Sequence, residues 1–275
     1  RMRIEGSAEA YLYPFRFYGL GNANPESNAE LYTPIGTRVQ LRALHAVSGR
    51  MVQHGLSIGL RFDVRYDHIR SVDLRDDGTA GPLRQGMVTG SAGGWFNGLG
   101  PLVSYDTRDN NFDARRGLFC EASVVPYGSF LGSRYTATLS TIDLRAYAEI
   151  DSGWSIATRA YVQNAAGTPT FQMWPFIGGN SMLRGVYEAQ QRDRMSALVT
   201  VETRFPIVWK FRGVAFVDAG HVAPAPSAFT LPGVWVGWGG GVRFVFDEKE
   251  RVSLRLDVGV ARGVPQFYLA FNEAL

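Results

Sequence analysis

The chain has 275 residues, 45% of them hydrophobic and 19% charged, with a formal net charge of +3. A mean hydropathy of −0.09, with no apolar run approaching the ~20 residues of a membrane-spanning helix, excludes a helical membrane protein. The positive charge is almost all arginine, with Lys210 and Lys249 the two lysines, and it alternates with acids instead of forming a basic patch, so nucleic acid is excluded as a partner.

The first predicted strand, 3–13, carries the small residues Gly6, Ser7, Ala8 and Ala10. Strands 36–47 and 51–67 follow, joined by a Ser48-Gly49 turn. In the second of these, Leu56, Ile58, Leu60, Phe62, Val64 and Tyr66 alternate with Ser57, Gly59, Arg61, Asp63, Arg65 and Asp67. Strand side chains point to opposite faces with a period of two, so this strand has one apolar and one charged face. Strands 96–107 and 116–126 flank a longer link from Arg108 to Arg115.

In 134–150 the apolar positions are first odd (Tyr135, Ala137, Leu139) and then even (Ile142, Leu144, Ala146, Ala148, Ile150), which predicts a β-bulge near Ser140-Thr141. An Asp151-Ser152-Gly153 turn leads to 153–164, where Trp154, Ile156, Thr158, Ala160 and Val162 face away from Ser155, Arg159, Tyr161 and Gln163. Strands 194–205 and 208–219 are joined at Pro206-Ile207. The second is apolar in part on both faces, with Val214 and Phe216 in phase with Arg212 and Asp218. The last three predicted strands are 233–246, 250–262 and 265–274, the first pair linked through Asp247-Glu248-Lys249-Glu250.

Long links at 14–35, 68–95, 127–133, 165–193 and 220–232 alternate with these short turns. That rhythm predicts an all-β fold, a transmembrane antiparallel up-and-down β-barrel of about 12 strands. Short turns belong on the periplasmic side of such a barrel, and an even strand count places both termini there. A soluble barrel or sandwich would bury the same apolar faces but leaves the alternation of link lengths without a cause. Trp154, Trp209, Tyr11, Tyr13 and Trp174, near strand ends, are candidates for the interfacial girdle. The charged face predicts a lumen of cross-strand ion pairs.

No constellation for catalysis emerges. His45, His54, His68 and His221 lack ligand spacing, Cys120 is the lone cysteine, and Gly-x-Ser-x-Gly does not occur, so no metal, no cofactor and no enzyme activity are expected. Gly239 to Gly241 reads as a strand bend, not a phosphate loop. The opening Arg1-Met2-Arg3-Ile4-Glu5 is no signal peptide, so either one has been removed or the sequence is cut from a longer protein.

The segment Ile177-Gly178-Gly179-Asn180-Ser181-Met182-Leu183-Arg184-Gly185-Val186-Tyr187 precedes Arg192-Asp193 and a strand ending Glu202-Thr203-Arg204-Phe205-Pro206. Together they resemble the long inserted loop of the BamA/TamA-like superfamily of outer-membrane insertases (the bacterial surface antigen family). Gly213 to Gly220, Gly239 to Phe244, and Asp106 to Phe112 with Arg116-Gly117 resemble other segments of that family, so the likeness covers about residues 98 to 275. Val186 stands where an aromatic is usual, with Tyr187 next to it. Nothing resembles the periplasmic POTRA domains of the larger members, and the final strand lacks the terminal aromatic. The resemblance is therefore to the small branch without POTRA domains, as a single barrel domain over 1–275.

The resemblance implies that loop 165–193 folds into the lumen and that Arg184, with Gly185, contacts Asp218 on the wall, flanked by Gly178, Gly179, Leu183 and Tyr187. It implies a lateral seam between first and last strands at Gly6, Ala8, Phe267, Leu269 and Phe271, where membrane or secreted clients are bound, inserted or translocated. The implied partners are outer-membrane lipid, client β-barrel or secreted proteins and periplasmic partner proteins. The alternative is a narrow pore, or the membrane anchor of a removed periplasmic domain such as a patatin-like lipase.

Overall fold

The computed structural model describes residues 2–47 and 55–275; the predicted Ser48-Gly49 turn, the start of strand 51–67 and His54 lie outside them. The strands are β1 (Met2–Leu12), β2 (Phe15–Phe17), β3 (Glu30–Ala46), β4 (Leu56–Val72), β5 (Gly94–Asp106), β6 (Gly117–Tyr127), β7 (Ala137–Asp151) and β8 (Trp154–Gly167). Then come β9 (Phe176–Ile177), β10 (Gln191–Arg192), β11 (Met195–Val208), β12 (Phe211–Ala223), β13 (Trp235–Asp247), β14 (Val252–Ala261) and β15 (Val264–Phe271).

Twelve long strands pair antiparallel in the order β1-β3-β4-β5-β6-β7-β8-β11-β12-β13-β14-β15, with β2 added at the end of β3 to make a 13-stranded sheet. Strand neighbours in space are neighbours in sequence, which is the up-and-down topology of a β-barrel. The curl of the sheet brings distant elements into contact across the lumen. The Trp235 indole N–H donates to the Asn22 carbonyl at 3.0 Å, and Arg251 meets Asp109 at 2.7 Å. No helix of the described residues is long and apolar enough to cross a membrane; the crossings are made by strands.

The two faces separate as the alternation dictates. On β14, Ser253, Arg255 and Asp257 are buried in the lumen while Leu256 is 51% exposed on the outside. On β4, Asp63 and Asp67 are buried while Ile58 and Leu60 face out. The predicted cross-strand ion pairs are present, as in Arg159–Asp143 and Arg243–Asp257, and many others run along one strand to the second residue onward, as in Arg61–Asp63, Arg65–Asp67, Arg145–Asp143 and Arg204–Glu202. Residues two apart share a face, so an Arg-x-Asp or Glu-x-Arg unit pairs with itself.

Several expectations are corrected. The predicted bulge at Ser140-Thr141 is absent: the β6–β7 and β7–β8 registers run through it without a break, and the shift falls at Glu149/Asp151. Odd positions of β7 face the lumen throughout. Ala137 and Leu139 are apolar because they pack inside with Phe96, Val125, Tyr127 and Met173, so the lumen is not polar along its whole depth. Tyr11 is not a girdle residue but is buried in the lumen, hydrogen-bonded to Asp67. Trp174 lies in the loop after β8 with its indole N–H on the Pro169 carbonyl, 3.0 Å away. Trp154 and Trp209 are exposed. β3 begins six residues earlier than predicted and β4 ends five later. The register of β13 with β14 is unbroken through Gly239 to Gly241.

At the end carrying the short turns, residues 107–116 and the tail after β15 fold inward. β15 stops at Phe271, not at 274, and Leu275 packs with Ala114, Tyr147 and Ala157. Asp109 organises the turn: it accepts the backbone N–H of Arg115 at 2.9 Å and of Arg116 at 3.2 Å, and Arg251 at 2.7 Å. Partial burial raises its pKa, but the Arg251 guanidinium and the two N–H donors outweigh this and hold it below the usual carboxylate range.

A carboxylate held low contributes its stabilisation fully above its ordinary value of about 3.9 and loses it as pH falls through the lowered value. Amide protection factors of residues 107–116 are thus expected to drop below about pH 4, and Asp109→Asn to show the low-pH behaviour already at neutral pH. On the lipid face, Leu256→Arg near the middle of β14 is expected to destabilise the barrel by about 2–4 kcal/mol in urea unfolding from vesicles.

Candidate functional site

The link between β8 and β11 is clasped at its base, where Ile177 pairs with Gln191 and Phe176 with Arg192. The chain then turns through Gly178 and Gly179, both in the left-handed region at φ of 105° and 107°. A β-carbon at Gly178 would overlap the Tyr187 carbonyl oxygen. The Gly179 N–H donates to the Val186 carbonyl at 3.0 Å, closing the loop tip. Leu183 and Val186 anchor this tip in a buried apolar cluster with Ile177, Leu198, Val222 and Trp235. Val186, standing where an aromatic is usual, is thus a core residue. Tyr187 instead stacks on Tyr18, with ring centroids 6.2 Å apart.

Between these two apolar anchors Arg184 points at the wall. Its backbone N–H and Nε lie 3.0 and 2.8 Å from Asp218 Oδ2, and Nη2 lies 3.0 Å from Oδ1. Nη1 donates to Glu202 Oε2 at 2.8 Å and lies 3.6 Å from Asp257 Oδ2. The guanidinium carbon sits 3.3 Å above the centroid of the Phe216 ring. That contact accounts for the apolar residue on the charged face of β12: the ring is a platform for the cation. The acids come from three strands, Glu202 on β11, Asp218 on β12 and Asp257 on β14, and none is exposed.

The network continues past Arg184. Glu202 also binds Arg204 at 2.9 Å, and Arg204 reaches Asp113 of the 107–116 turn at 3.1 Å. Asp113 binds Arg212 at 2.8 Å. Asp257 is hydrogen-bonded to Arg243, which meets Glu273 of the tail at 2.8 Å, and Arg255 lies 3.6 Å from Asp257. Arg115 also lies 3.6 Å from Asp113, so Arg115, Arg184, Arg204, Arg212, Arg243 and Arg255 face Asp113, Glu202, Asp218, Asp257 and Glu273, six cations against five anions. A largely dry network of this kind, in which every carboxylate has a cationic partner, holds position. Among the described residues, no three His, Cys, Asp or Glu side chains are grouped to hold a metal ion.

The wall is cut away where the loop lands. A β-carbon at Gly237 of β13 would overlap the Arg184 carbonyl, and one at Gly259 of β14 would lie 2.8 Å from the Arg184 β-carbon. Gly185, at φ 93°, has the backbone of Val260 and Ala261 within 2.9 Å of its missing side chain. Its N–H donates to the Tyr268 hydroxyl of β15 at 2.9 Å. Sequence reasoning did not single out Glu202, Asp257, Phe216, Gly237, Gly259 or Tyr268 as partners of the loop. The available signal was phase: all of them except Gly185's partner strand β15 belong to the charged faces of β11 to β14.

The seam residues lie elsewhere. Gly6 and Ala8 are on β1, opposite Leu41 and Val39 of β3. Phe267, Leu269 and Phe271 are on β15, opposite Val258, Leu256 and Leu254 of β14, and point outward. Among the described residues no ladder joins β1 to β15, so each strand has one free edge.

A curled up-and-down sheet with a greasy outside, a charged inside and a plugging loop defines an outer-membrane β-barrel. The Omp85 superfamily domain matches residues 21–247, and the chain belongs to that superfamily. The crystal structure of BamA from Haemophilus ducreyi lacking POTRA domains 1-3 shares the fold with a TM-score of 0.61 at 13% sequence identity. The match covers 98% of this chain and 59% of that one. No curated protein matches the sequence.

Arg184→Ala leaves buried Asp218 without its cation and removes one partner each from Glu202 and Asp257, and is expected to cost about 3–5 kcal/mol in urea unfolding. The same variant should expose loop 165–193 to protease in the folded barrel. Arg184→Lys retains the charge but not the fork and should recover only part of the loss.

Proposed function

We propose that the barrel receives strands of client membrane or secreted proteins at the free edge of β1 and passes them into or across the outer membrane. No covalent step is involved. The observation that carries this reading is the lack, among the described residues, of a ladder between β1 and β15. An edge strand with unpaired N–H and C=O groups is a template for adding another strand. Gly6, Ala8 and Ala10 give β1 a low outward profile, whereas Phe267, Leu269 and Phe271, each at least 70% exposed, make β15 the bulky side. A client strand can therefore approach β1 with little side-chain obstruction on the lipid side.

In this reading both termini and the short turns face the periplasm, where partner proteins deliver clients, and lipid contacts the outward face. Loop 165–193 acts as a lumen plug held by Arg184, Gly185 and Asp218. A narrow pore is not proposed, because the plug and the inward-folded tail occupy the lumen from both ends.

A disulfide across the seam tests the proposal. In a Cys120→Ser background, cysteine pairs are scanned along β1 and β15, beginning with Ala8→Cys and Leu269→Cys. A pair that crosslinks fully is expected to block insertion of a small eight-stranded client barrel into vesicles, with recovery on reduction. Undiminished insertion by the fully crosslinked protein would remove the seam from the mechanism.

A further inference from the structure

A cavity of about 710 Å³ opens at the long-loop end, between the lumen face of β1, residues 15–18 and the plug loop. A second of about 230 Å³ continues it downward and shares Arg38, Arg65, Gln172 and Phe176 with it. Neither touches the Arg184 network, and β1 contributes Glu9 and Tyr11 to the wall of the larger one. The larger volume is that of a small-molecule site.

Four guanidinium groups, Arg16, Arg38, Arg65 and Arg192, line the large cavity, against Glu9 and Glu188. Their pairing is incomplete. Arg16 and Arg38 stand 3.8 and 3.9 Å from Glu26 and Glu9, beyond hydrogen-bond length. Arg65 gives Nη2 to Asp67 at 2.8 Å, and its buried Nε has no partner. Arg192 is 5% exposed and makes no ion pair among the described residues; it donates to the carbonyls of Ala189 at 3.2 Å and Phe171 at 2.8 Å. Burial pulls its pKa down, the signature of a cation short of a counter-charge.

One acceptor is also stranded: Gln172 donates to the Gly90 carbonyl at 3.1 Å, but its buried Oε1 receives nothing. The remaining wall is aromatic, chiefly Tyr11, Tyr13, Phe15, Tyr32 and Tyr187. Spare guanidinium donors fit phosphate oxygens, a lone buried acceptor calls for a hydroxyl, and flat rings pack against the C–H face of a sugar.

We propose that this cavity binds a phosphorylated sugar, presented either as the headgroup of an outer-leaflet glycolipid or free in solution. The phosphate lies among Arg38, Arg65 and Arg192, and a sugar hydroxyl donates to Gln172. Ligand binding here does not require strand exchange at the seam, although Glu9 and Tyr11 of β1 line the cavity.

Calorimetric titration of the full chain in detergent micelles decides it, with a bis-phosphorylated glucosamine glycolipid, its dephosphorylated form and glucosamine 1-phosphate as probes. The phosphorylated glycolipid is expected to bind at least about tenfold tighter than the dephosphorylated one. Arg38→Gln and Gln172→Ala should each weaken binding by about tenfold while the barrel keeps its heat-modifiable gel migration. Arg38 has a 40% exposed side chain and Arg192 is buried, so Arg38→Gln serves as the variant that folds. Equal binding of glucosamine 1-phosphate identifies a soluble ligand; binding of the glycolipid alone identifies a membrane one. The site is overturned if neither phosphorylated probe binds, if removing phosphate changes nothing, or if both variants bind as the parent does.

Discussion

Everything about this barrel's interior depends on burying Arg184. Taking a guanidinium out of water costs several kcal/mol, and the cost is offset only where geometry is good on every side. Here the fork faces Asp218, the remaining amine meets Glu202 and approaches Asp257, and the flat face rests on Phe216. The dependence is mutual. Three buried carboxylates on neighbouring wall strands repel one another without the cation, and the cation is unpaired unless β11, β12 and β14 stand in register. Loop and wall therefore require each other, and insertion of the loop is part of forming that side of the barrel.

The same contact divides the wall into a stiff and a soft side. Arg184 and Gly185 press on β13 and β14 through Gly237 and Gly259, and Gly185 is hydrogen-bonded to Tyr268 of β15. The last strand thus has support from within the lumen as well as its ladder to β14. β1 has a ladder to β3 and charge pairs such as Arg3–Glu5 and Arg38–Glu9, whose side chains are 40–52% exposed. Exposed pairs of this kind contribute about 0–1 kcal/mol. The two end strands differ: β15 is tied to the plug through Tyr268, and β1 to the wall through its ladder to β3 and the buried Tyr11 hydroxyl on Asp67.

Twelve wall strands were legible because lipid outside and charge inside force a period of two, and the register of the long strands follows it. The errors arose where the lumen is not simply polar. Ala137 and Leu139 face inward to fill an apolar cluster beneath the plug, and their phase mimicked a bulge. Phe216 looked out of place until a cation was put over its ring. Gly239 and Gly241 also leave room for wall side chains, since a β-carbon at Gly239 would meet the Phe216 ring and one at Gly241 the Asp257 carboxylate, a use that no local pattern reveals. The Arg184 motif identified the tip of the loop, but the identity of its second and third acids depends on which strands are neighbours. Three short strands were missed; two-residue ladders such as Phe176–Ile177 with Gln191–Arg192 are too short to carry a period.

The charges that hold the plug also close the opposite mouth. From Arg184 one path runs through Glu202 and Arg204 to Asp113 in the 107–116 turn, and another through Asp257 and Arg243 to Glu273 in the tail. Every member has at least one partner of opposite sign. Withdrawing the turn or the tail would leave Arg204 or Arg243 short of a carboxylate in a dry interior, just as withdrawing the loop would strand Asp218. The turn, the tail and the plug are therefore held by one set of interactions built on β11 to β14, to which β1 contributes no member. On the proposed reading, β1 can part from β15 without breaking the pairs that hold the plug, because its own ties are the ladder to β3 and the Tyr11 hydroxyl on Asp67.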